Sequence, residues 1–320
     1  MLFSMKLLEI PPAPPIPTSG RHARTWRDYE WPALTPFLLV HVLGIAGAVA
    51  GLVLGAPAWA WLLALGLYVV RMFGVTGGYH RYFAHRTFKT GRVMQFLLAF
   101  LAMSSAQRGI LWWAAHHRDH HKYSDGERDV HTPVRWGFWH SHVGWIYDKN
   151  DKFDWGRVKD LSRFPELVVL EKLWLLPPVV VGLACFLAGG WWALFIGFFF
   201  STTLLWHGTF TINSLCHVWG KRRYATTDDS RNNWVLALIT MGEGWHNNHH
   251  HHMSSCRQGF FWWEVDLTYY VLRAMGAVGL VWDIREPSPR VYEAGPGKEP
   301  GADLLPSEQA RDVASPSAAA

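Results

Sequence analysis

Apolar residues in this chain form long blocks instead of alternating with polar residues or recurring every third or fourth position. Four blocks are the longest, and they cover residues 33–55, 59–78, 173–188 and 191–213. A helix of about 20 apolar residues crosses the roughly 30 Å hydrocarbon core of a bilayer, and each block is close to that length. The pattern therefore predicts four transmembrane helices.

The basic residues predict how these helices are oriented. The turns at 56–57 and 189–190 carry no Lys or Arg, whereas four other segments are rich in both: residues 21–30, 81–92, 152–172 and 221–231. Basic segments are retained preferentially on the cytoplasmic side. We therefore expect cytoplasmic termini, and an all-α integral membrane protein with four transmembrane helices and a helical cytoplasmic cap.

Two further apolar stretches are unlike membrane spans. Residues 93–106 cover 14 positions and include Gln95 and two serines, which favours a buried or interfacial helix, with a fifth span as the alternative. Residues 262–282 mix three charged residues with aromatic ones, which is typical of an amphipathic helix at the lipid headgroups.

The chain divides into three regions by composition. Residues 1–30 form a basic, proline-rich N-terminal arm, and residues 31–286 form the membrane domain. Residues 287–320 are rich in Pro, Gly, Ser and Ala, which predicts a disordered C-terminal tail.

Composition supports a membrane protein and argues against disulfide or thiolate chemistry. Half of the 320 residues are hydrophobic, 17% are charged and 20 are Trp, and few soluble domains have this balance. The three cysteines are far apart and form no CxxC pair. Neither a disulfide framework nor a thiolate metal site is therefore predicted.

Histidines are concentrated in HRYFAHR at 80–86, HHRDHH at 116–121 and HNNHHHH at 246–252. In the second cluster His117, His120 and His121 are spaced i, i+3, i+4, so one face of a helix carries all three. The third cluster repeats this spacing with His246, His249 and His250. A mononuclear site uses three or four protein ligands, so the clusters predict a site for two metal ions.

The first cluster needs a bend in its helix. His80 and His85 are five residues apart, which separates them by roughly 140° on an ideal helix, so both reach one site only if the helix ends or bends between them. His217, in NSLCH, lies one turn after Asn213, which is placed to hydrogen-bond a metal-bound water. The predicted metal ligands are thus His80, His85, His117, His120, His121, His217, His246, His249 and His250.

The number of imidazoles favours iron. Zinc prefers four tetrahedral ligands and has no redox chemistry, so nine histidines exceed two closed zinc sites, whereas iron accepts five or six ligands and changes oxidation state. Copper is a chemical alternative, weakened by the lack of Met and Cys ligands. Only Glu243–His246 has Glu-x-x-His spacing, which disfavours a carboxylate-bridged pair.

These motifs resemble those of the integral-membrane fatty-acyl desaturases of the stearoyl-CoA (acyl-CoA delta-9) type. The resemblance covers residues 31–286 in order, through HRYFAHRTFK, WWAAHHRDHHKYSD, NSLCHVWG and GEGWHNNHHH. It implies that the nine histidines bind two iron ions and that Asn213 binds a metal-bound water. It also implies a histidine-rich di-iron centre where a cytoplasmic cap meets a stem of four helices, beside a bent tunnel for an acyl chain.

The resemblance further implies an O2-dependent enzyme that inserts a cis double bond at the delta-9 position of a long acyl chain carried by coenzyme A. An intact lipid is the alternative carrier. The sequence has no haem or ferredoxin motif, so we expect no intrinsic haem or Fe–S cluster and a separate electron donor, ferredoxin-like or cytochrome b5-like with its reductase. No nucleic-acid partner is expected. The rival functions are a di-iron hydroxylase or monooxygenase and a membrane metal-binding protein.

Overall fold

The computed structural model describes residues 25–149 and 154–293. Within these ranges the protein is helical apart from one two-stranded antiparallel sheet, which confirms the predicted helical class. The α-helices, in chain order, are α1 (Trp31–Leu54), α2 (Ala58–Phe73), α3 (Arg92–Met103), α4 (Ile110–Tyr123), α5 (Pro133–Trp136), α6 (Phe138–His142), α7 (Lys159–Ser162), α8 (Pro165–Lys172), α9 (Leu176–Trp192), α10 (Ser201–Asn213), α11 (Trp234–Ile239), α12 (His246–His251), α13 (Leu267–Ala277) and α14 (Pro289–Glu293).

The remaining elements are short or unusual. Strand β1 (Lys89–Thr90) pairs with β2 (Val281–Trp282), with Lys89 opposite Trp282. One π-helix continues α2 and a second leads into α10, at Gly74–Ala84 and Ala193–Phe200. Single 3₁₀ turns lie at Trp26–Asp28, Gly144–Tyr147, Trp155–Val158 and Leu215–His217.

Three segments are long and apolar enough to cross a membrane: Trp31–Leu54, Ala58–Ala84 and Leu176–His217. The third has 42 residues, and a straight helix of that length would measure about 63 Å, twice the hydrocarbon core. The backbone leaves the helical conformation at Gly189 and Gly190, and Gly190 has a φ of +61°, which favours glycine. A Cβ on Gly182 would lie 3.3 Å from the Phe198 ring, so the segment folds back on itself at this turn.

Small residues bring α1 close to the second half of this hairpin. Gly44, Gly47 and Gly51 are buried on α1, and a Cβ on Gly44 would lie 2.9 Å from the backbone of Phe199. Spacing of small residues by three or four positions lets membrane helices approach closely and gain van der Waals contact. The helix ends at Gly55, whose φ of +72° forms a left-handed cap.

The largest hydrophobic core lies where the long helices meet the shorter ones. It joins the π-helical end of α2 to α3, α4 and α8 through buried side chains that include Tyr79, Phe83, Leu98, Ala114 and Leu170. The core therefore holds the elements that carry the first two histidine clusters.

The two doubtful apolar stretches form short helices. Residues 93–106 fall mostly in α3, which has 12 residues and is below the length of a span. Within residues 262–282 the helix covers only Leu267–Ala277, because Trp282 pairs in the small sheet. The predicted amphipathic helix is thus shorter than its apolar stretch.

Parts of both predicted terminal regions are folded. Tyr29 bridges to Asp148, and the Glu30 amide donates to the Tyr147 carbonyl over 2.8 Å, so the end of the predicted arm packs against the segment around Tyr147. At the other end Val291 in α14 is buried, and the Tyr224 hydroxyl donates to its carbonyl. The folded chain therefore extends past Glu286; the rest of the predicted arm and tail lies outside the described residues.

Candidate metal centre

A π-helix brings His80 and His85 together. In the segment Gly74–Ala84 the hydrogen bonds join residues five apart, and the His85 amide donates to the His80 carbonyl over 3.1 Å. This i→i+5 pattern widens the turn and puts residues five apart on nearly the same side of the helix. The two ring centroids are 4.8 Å apart. The bend that the spacing requires is therefore a π-helical turn.

Helix α4 carries the second cluster, and a carboxylate caps its N-terminus. Oε2 of Glu171, on α8, accepts hydrogen bonds from the Leu111 and Trp112 amides at 2.7 and 3.3 Å. A side chain on Gly109 would clash with this carboxylate, which explains the glycine before the helix. A negative charge at a helix N-terminus satisfies free N–H groups and opposes the helix dipole favourably.

The nine predicted histidines gather in two groups. Nitrogen atoms of His80, His85, His117, His121 and His249 lie within 4.8 Å of one another, and those of His120, His217, His246 and His250 form a second set of the same compactness. The second and third clusters contribute to both sets, whereas the first cluster contributes only to the set of five and His217 only to the set of four. We call these the five-histidine group and the four-histidine group.

Distances within the five-histidine group are those of donors that share an ion. Nε2 of His249 lies 3.0 Å from Nε2 of His80 and 2.9 Å from that of His121, and Nε2 of His117 lies 2.9 Å from that of His85 and 3.0 Å from that of His121. Each Nε2 has one lone pair or one hydrogen in the ring plane, so hydrogen bonding alone does not account for atoms that meet two partners each. With bonds of roughly 2.1 Å, donors at right angles are about 3.0 Å apart and tetrahedral donors about 3.4 Å apart.

An orphaned nitrogen marks the four-histidine group. Nε2 of His250 is buried and has no hydrogen-bond partner among the described residues. Nε2 of His217 lies 3.1 Å from Nε2 of His246 in the same group. A buried polar atom without a partner is costly unless an ion or a water satisfies it.

Carboxylates orient four of the nine rings through Nδ1. Asp129 contacts His120 at 3.0 Å, Asp125 contacts His217 at 3.0 Å, Asp228 contacts His250 at 2.6 Å, and Glu243 pairs with His80. Such a partner fixes the tautomer, so that Nε2 points its lone pair at the ion, and it makes the ligand more basic. No motif or local spacing in the sequence predicts this role for Asp125, Asp129, Asp228 and Glu243.

Glu243 belongs to a buried ionic network. Arg81 donates to Glu243 at 2.6 Å and to Asp266 at 3.0 Å, and all three side chains are almost fully buried. A buried arginine between two carboxylates is held at a fixed position because removing either partner leaves an uncompensated charge. The network therefore fixes the carboxylate that orients His80.

Burial keeps three histidines of the five-histidine group neutral. Burial lowers the pKa of His117, His121 and His249 well below the ordinary value, and neighbouring histidines lower it further. Burial also lowers the pKa of His120, but the Asp129 carboxylate outweighs this effect, so the pKa is raised overall. Neutral imidazole is the form that ligates metals.

Histidines outside the nine occupy different positions. His251 stacks on Tyr224 at 4.0 Å, and Nδ1 of His116 contacts the Trp112 carbonyl at 2.8 Å. His131 lies outside the three clusters in the sequence, but its ring is 4.3 Å from that of His120 and beside Asp129. Burial lowers the pKa of His131 to about 3.

An apolar cavity of about 660 Å³ reaches the histidines, and we call it the stem cavity. Near the five-histidine group it is lined by His117, Trp113 and Asn213, and Gln107 donates to Thr209 across its wall at 3.0 Å. From there it continues between α1, α9 and α10. Its volume is in the range of roughly 300–1,000 Å³ that is usual for small-molecule sites.

Asn213 ends α10, and its backbone carbonyl accepts a hydrogen bond from Ser141 at 2.7 Å. It lines the stem cavity one turn before His217 of the four-histidine group. Its predicted role in holding a metal-bound water stays a prediction.

Comparison with known proteins points to one family. Residues 56–283 match the family model described as fatty acid desaturase. Delta-9 acyl-lipid desaturase 2 of Arabidopsis thaliana is 38% identical over 274 residues, which cover 83% of this chain and 86% of that protein.

Other relatives act at different positions and on different carriers, according to their names. Palmitoyl-monogalactosyldiacylglycerol delta-7 desaturase of Arabidopsis thaliana is 34% identical over 273 residues, which cover 83% of this chain and 71% of that protein. Icosanoyl-CoA 5-desaturase of Limnanthes douglasii is 34% identical over 275 residues, covering 84% and 76% of the two chains.

Proposed function

This chain belongs to the fatty acid desaturase family, and from that premise we propose that it inserts a cis double bond at the delta-9 position of a long saturated acyl chain. In the overall reaction an adjacent pair of methylenes, O2, two electrons and two protons give an alkene and two molecules of water. The observation that carries the proposal is the meeting of nine histidines beside an apolar cavity.

The two histidine groups fit two iron ions. Five imidazoles exceed the four positions of a tetrahedral zinc site, and separations near 3.0 Å suit donors at right angles. We assign one ion to each group, with a water on Asn213 completing the four-histidine group. Bound iron would supply the dioxygen activation and the two-electron redox chemistry that removal of two hydrogens requires.

The protein's own residues orient the imidazoles and position the acyl chain. Asp125, Asp129, Asp228 and Glu243 fix four imidazoles through their Nδ1 atoms, so the donor atoms are in place before the ions bind. The apolar walls of the stem cavity exclude water from the reacting carbons, and Trp113, stacked on His117 at 4.8 Å, limits how close the chain lies to the histidines. Regioselectivity then depends on which methylene pair the cavity places beside His117.

The arrangement that we propose in the membrane is the one that the sequence predicts. We propose that Leu176–His217 crosses twice, with its turn at Gly190, so that four spans form the stem and the histidines lie on the cytoplasmic side. Support comes from the break at Gly189 and Gly190 and from the basic segments near the histidine clusters. Electrons come from a separate ferredoxin-like or cytochrome b5-like donor.

Fatty-acid profiling of an expressing host tests the function and the double-bond position together. We expect new cis-delta-9 monounsaturated chains whose formation requires O2. Delta-7 or delta-5 products would revise the position and leave the enzyme class intact. A hydroxylated chain without new unsaturation would favour the monooxygenase, and stoichiometric zinc without O2-dependent products would favour the metal-binding protein.

Loss of one ligand provides a direct test of the histidine set. His120→Ala should abolish desaturation, because it removes one donor of the four-histidine group, the imidazole that Asp129 contacts at 3.0 Å. The protein should still be found in the membrane fraction with less bound iron. His251→Ala is the matched control: this neighbour of His250 stacks on Tyr224, so most of the activity should remain. Full activity in the His120 variant would remove that residue from the set.

A further inference from the structure

The stem cavity is open along one side of the long helices. At its inner end Trp206 and Phe210 are buried, with exposed fractions of 5% and 4%. Further along, the same cavity is lined by Val179, Leu183 and Trp191, which are 60%, 55% and 63% exposed on the outside of the helical stem. The lining therefore runs without interruption from residues beside the histidines to residues that face lipid.

The opening lies between α1 and α9. Both helices pack against the π-helix that leads into α10, and the cavity is lined by Pro36, Phe37 and Val40 on α1 and by the exposed residues of α9. Leu183 is seven residues into α9, which places it roughly 10 Å below the start of that helix. The opening is thus at the depth of the acyl chains and not at the aqueous surface.

Charge at the opening is unsuited to a nucleotide. Arg108 is the one Lys or Arg among the described side chains that line the cavity, and its guanidinium lies 5.7 Å from the Trp112 ring and 5.6 Å from the Trp174 ring. Trp174 lies two residues before α9, so this cation is near the start of that helix, at the membrane surface. Coenzyme A carries a pyrophosphate and a further phosphate, and moving these groups through an apolar opening into hydrocarbon is prohibitive.

We propose that acyl chains reach the histidine groups sideways from the bilayer, through the opening between α1 and α9, and that the substrate is a chain still esterified to a membrane glycerolipid. This rests on the proposed desaturase function and identifies its carrier. A lipid chain already lies at the depth of Leu183, so it exchanges into the cavity without desolvation of its headgroup. Arg108 is then placed to meet an ester or phosphate oxygen of the lipid.

Because the reaction needs O2, labelled chains can be loaded into phospholipid before desaturation begins. This separation of the two steps tests the proposal. Expressing bacteria are fed deuterated stearate without O2 so that the label enters phospholipid, and an excess of unlabelled stearate then dilutes the labelled thioester pool. On admission of O2 we expect deuterated unsaturated chains in intact phospholipids that had already formed.

A parallel culture receives the deuterated stearate in air. If this culture makes labelled product and the preloaded phospholipid does not, the thioester is the substrate and the inference is overturned while the desaturase function stands. If neither culture makes labelled product, the proposed function itself fails.

Adjacent residues on α9 provide a matched pair of variants. Leu183→Trp adds bulk to a side chain that lines the opening, whereas Ala184→Trp adds bulk to an exposed neighbour that does not line it. We expect Leu183→Trp to slow desaturation of preloaded phospholipid at least about tenfold, because it displaces the chain from its position beside the histidines. The Ala184 variant should behave like the parent at equal protein and iron content. Equal rates in all three proteins would exclude this opening as the route.

Discussion

Asp228 shows how much of the site depends on residues that do not touch the metal. Its Oδ2 holds Nδ1 of His250 at 2.6 Å, and its Oδ1 accepts from the Ser230 amide and the Thr226 hydroxyl at 3.0 and 2.9 Å. These contacts and the charge of His250 outweigh burial and hold the pKa of Asp228 well below its usual range. The carboxylate is therefore ionised at neutral pH.

Asp228→Asn keeps the shape of this contact and removes its charge. We expect iron affinity to fall by roughly 10–100-fold, because the partner of a ligating histidine raises its basicity and fixes its tautomer. Iron content after dialysis against a graded chelator measures the change.

Asp229→Asn is the control for that experiment. This neighbour pairs with Arg222 at the protein surface at 3.5 Å, so its replacement should leave iron affinity unchanged. Equal affinity in the two variants would show that the charge of Asp228 does not support iron binding.

Some of these residues were predictable and others were not. The i, i+3, i+4 spacing of His117, His120 and His121 is a property of any α-helix, so their shared face followed from the sequence. Asp125 and His217 are 92 positions apart, and their contact depends on how distant segments pack. The spacing of neighbouring residues in the sequence does not predict such a contact.

Arg118 joins the two helices that carry the first two clusters. From α4 it donates to the Phe83 and Ala84 carbonyls at 2.8 and 3.0 Å, at the end of the π-helix, and its guanidinium is bidentate with Asp160 on α7 at 2.7 and 3.0 Å. The last carbonyls of a helix have no partner within the helix, so an arginine that binds them also fixes the position of the next residue, His85.

We expect Asp160→Asn to lower the melting temperature by roughly 2–4 °C, which corresponds to about 1 kcal/mol after allowance for solvent screening. Burial raises the pKa of Asp160, but Arg118 lowers it by more, so the folded pKa is below the unfolded value of 3.8. The stabilisation is thus complete above pH 4 and is lost as the pH falls through the folded pKa. Melting curves of both proteins should differ at pH 7 and converge once the pH falls below the folded pKa of Asp160. A constant difference would show that the ionised pair is not its source.

The sequence predicts that the helix ends or bends between His80 and His85, but it does not predict that this bend is a π-helix. The separation of roughly 140° between His80 and His85 on an ideal helix requires a bend or a helix end. The preceding pair Gly77-Gly78 does not show which of these occurs, because glycine pairs are found in kinks, at helix ends and in close packing alike. The hydrogen-bond pattern of the π-helix depends on a tertiary contact. A Cβ on Gly74 would lie 2.9 Å from the backbone of Leu101, so α3 packs against the turn where the π-helix begins. Patterns of single residues do not encode that contact.

At the scale of the whole molecule, the outer faces of the long helices and the surroundings of the histidine groups differ in polarity. The outer faces of α1 and α9 expose large apolar side chains such as Leu52, Val53 and Leu187, at 75%, 77% and 75%, whereas the histidine groups are surrounded by buried carboxylates. Apolar blocks in the sequence predicted the first surface because lipid imposes composition on every exposed position. The stem cavity was foreseen only as a tunnel implied by family resemblance, because its open side depends on the spacing between α1 and α9.

Cysteine labelling tests the four-span arrangement. The native cysteines, Cys185, Cys216 and Cys256, are all buried, so the parent protein should react little with a membrane-impermeant thiol reagent. Exposed alanines provide three matched positions: Ala58 after the first turn, Ala188 before the second, and Ala225 beside the four-histidine group. With four spans and a cytoplasmic cap, Ala58→Cys and Ala188→Cys react in intact cells, and Ala225→Cys reacts only after permeabilisation. Protection of Ala188→Cys would mean that the hairpin does not cross, and labelling of Ala225→Cys in intact cells would reverse the orientation. The proposed electron donor must reach the side that carries Ala225, so the same experiment decides from which compartment the two electrons come.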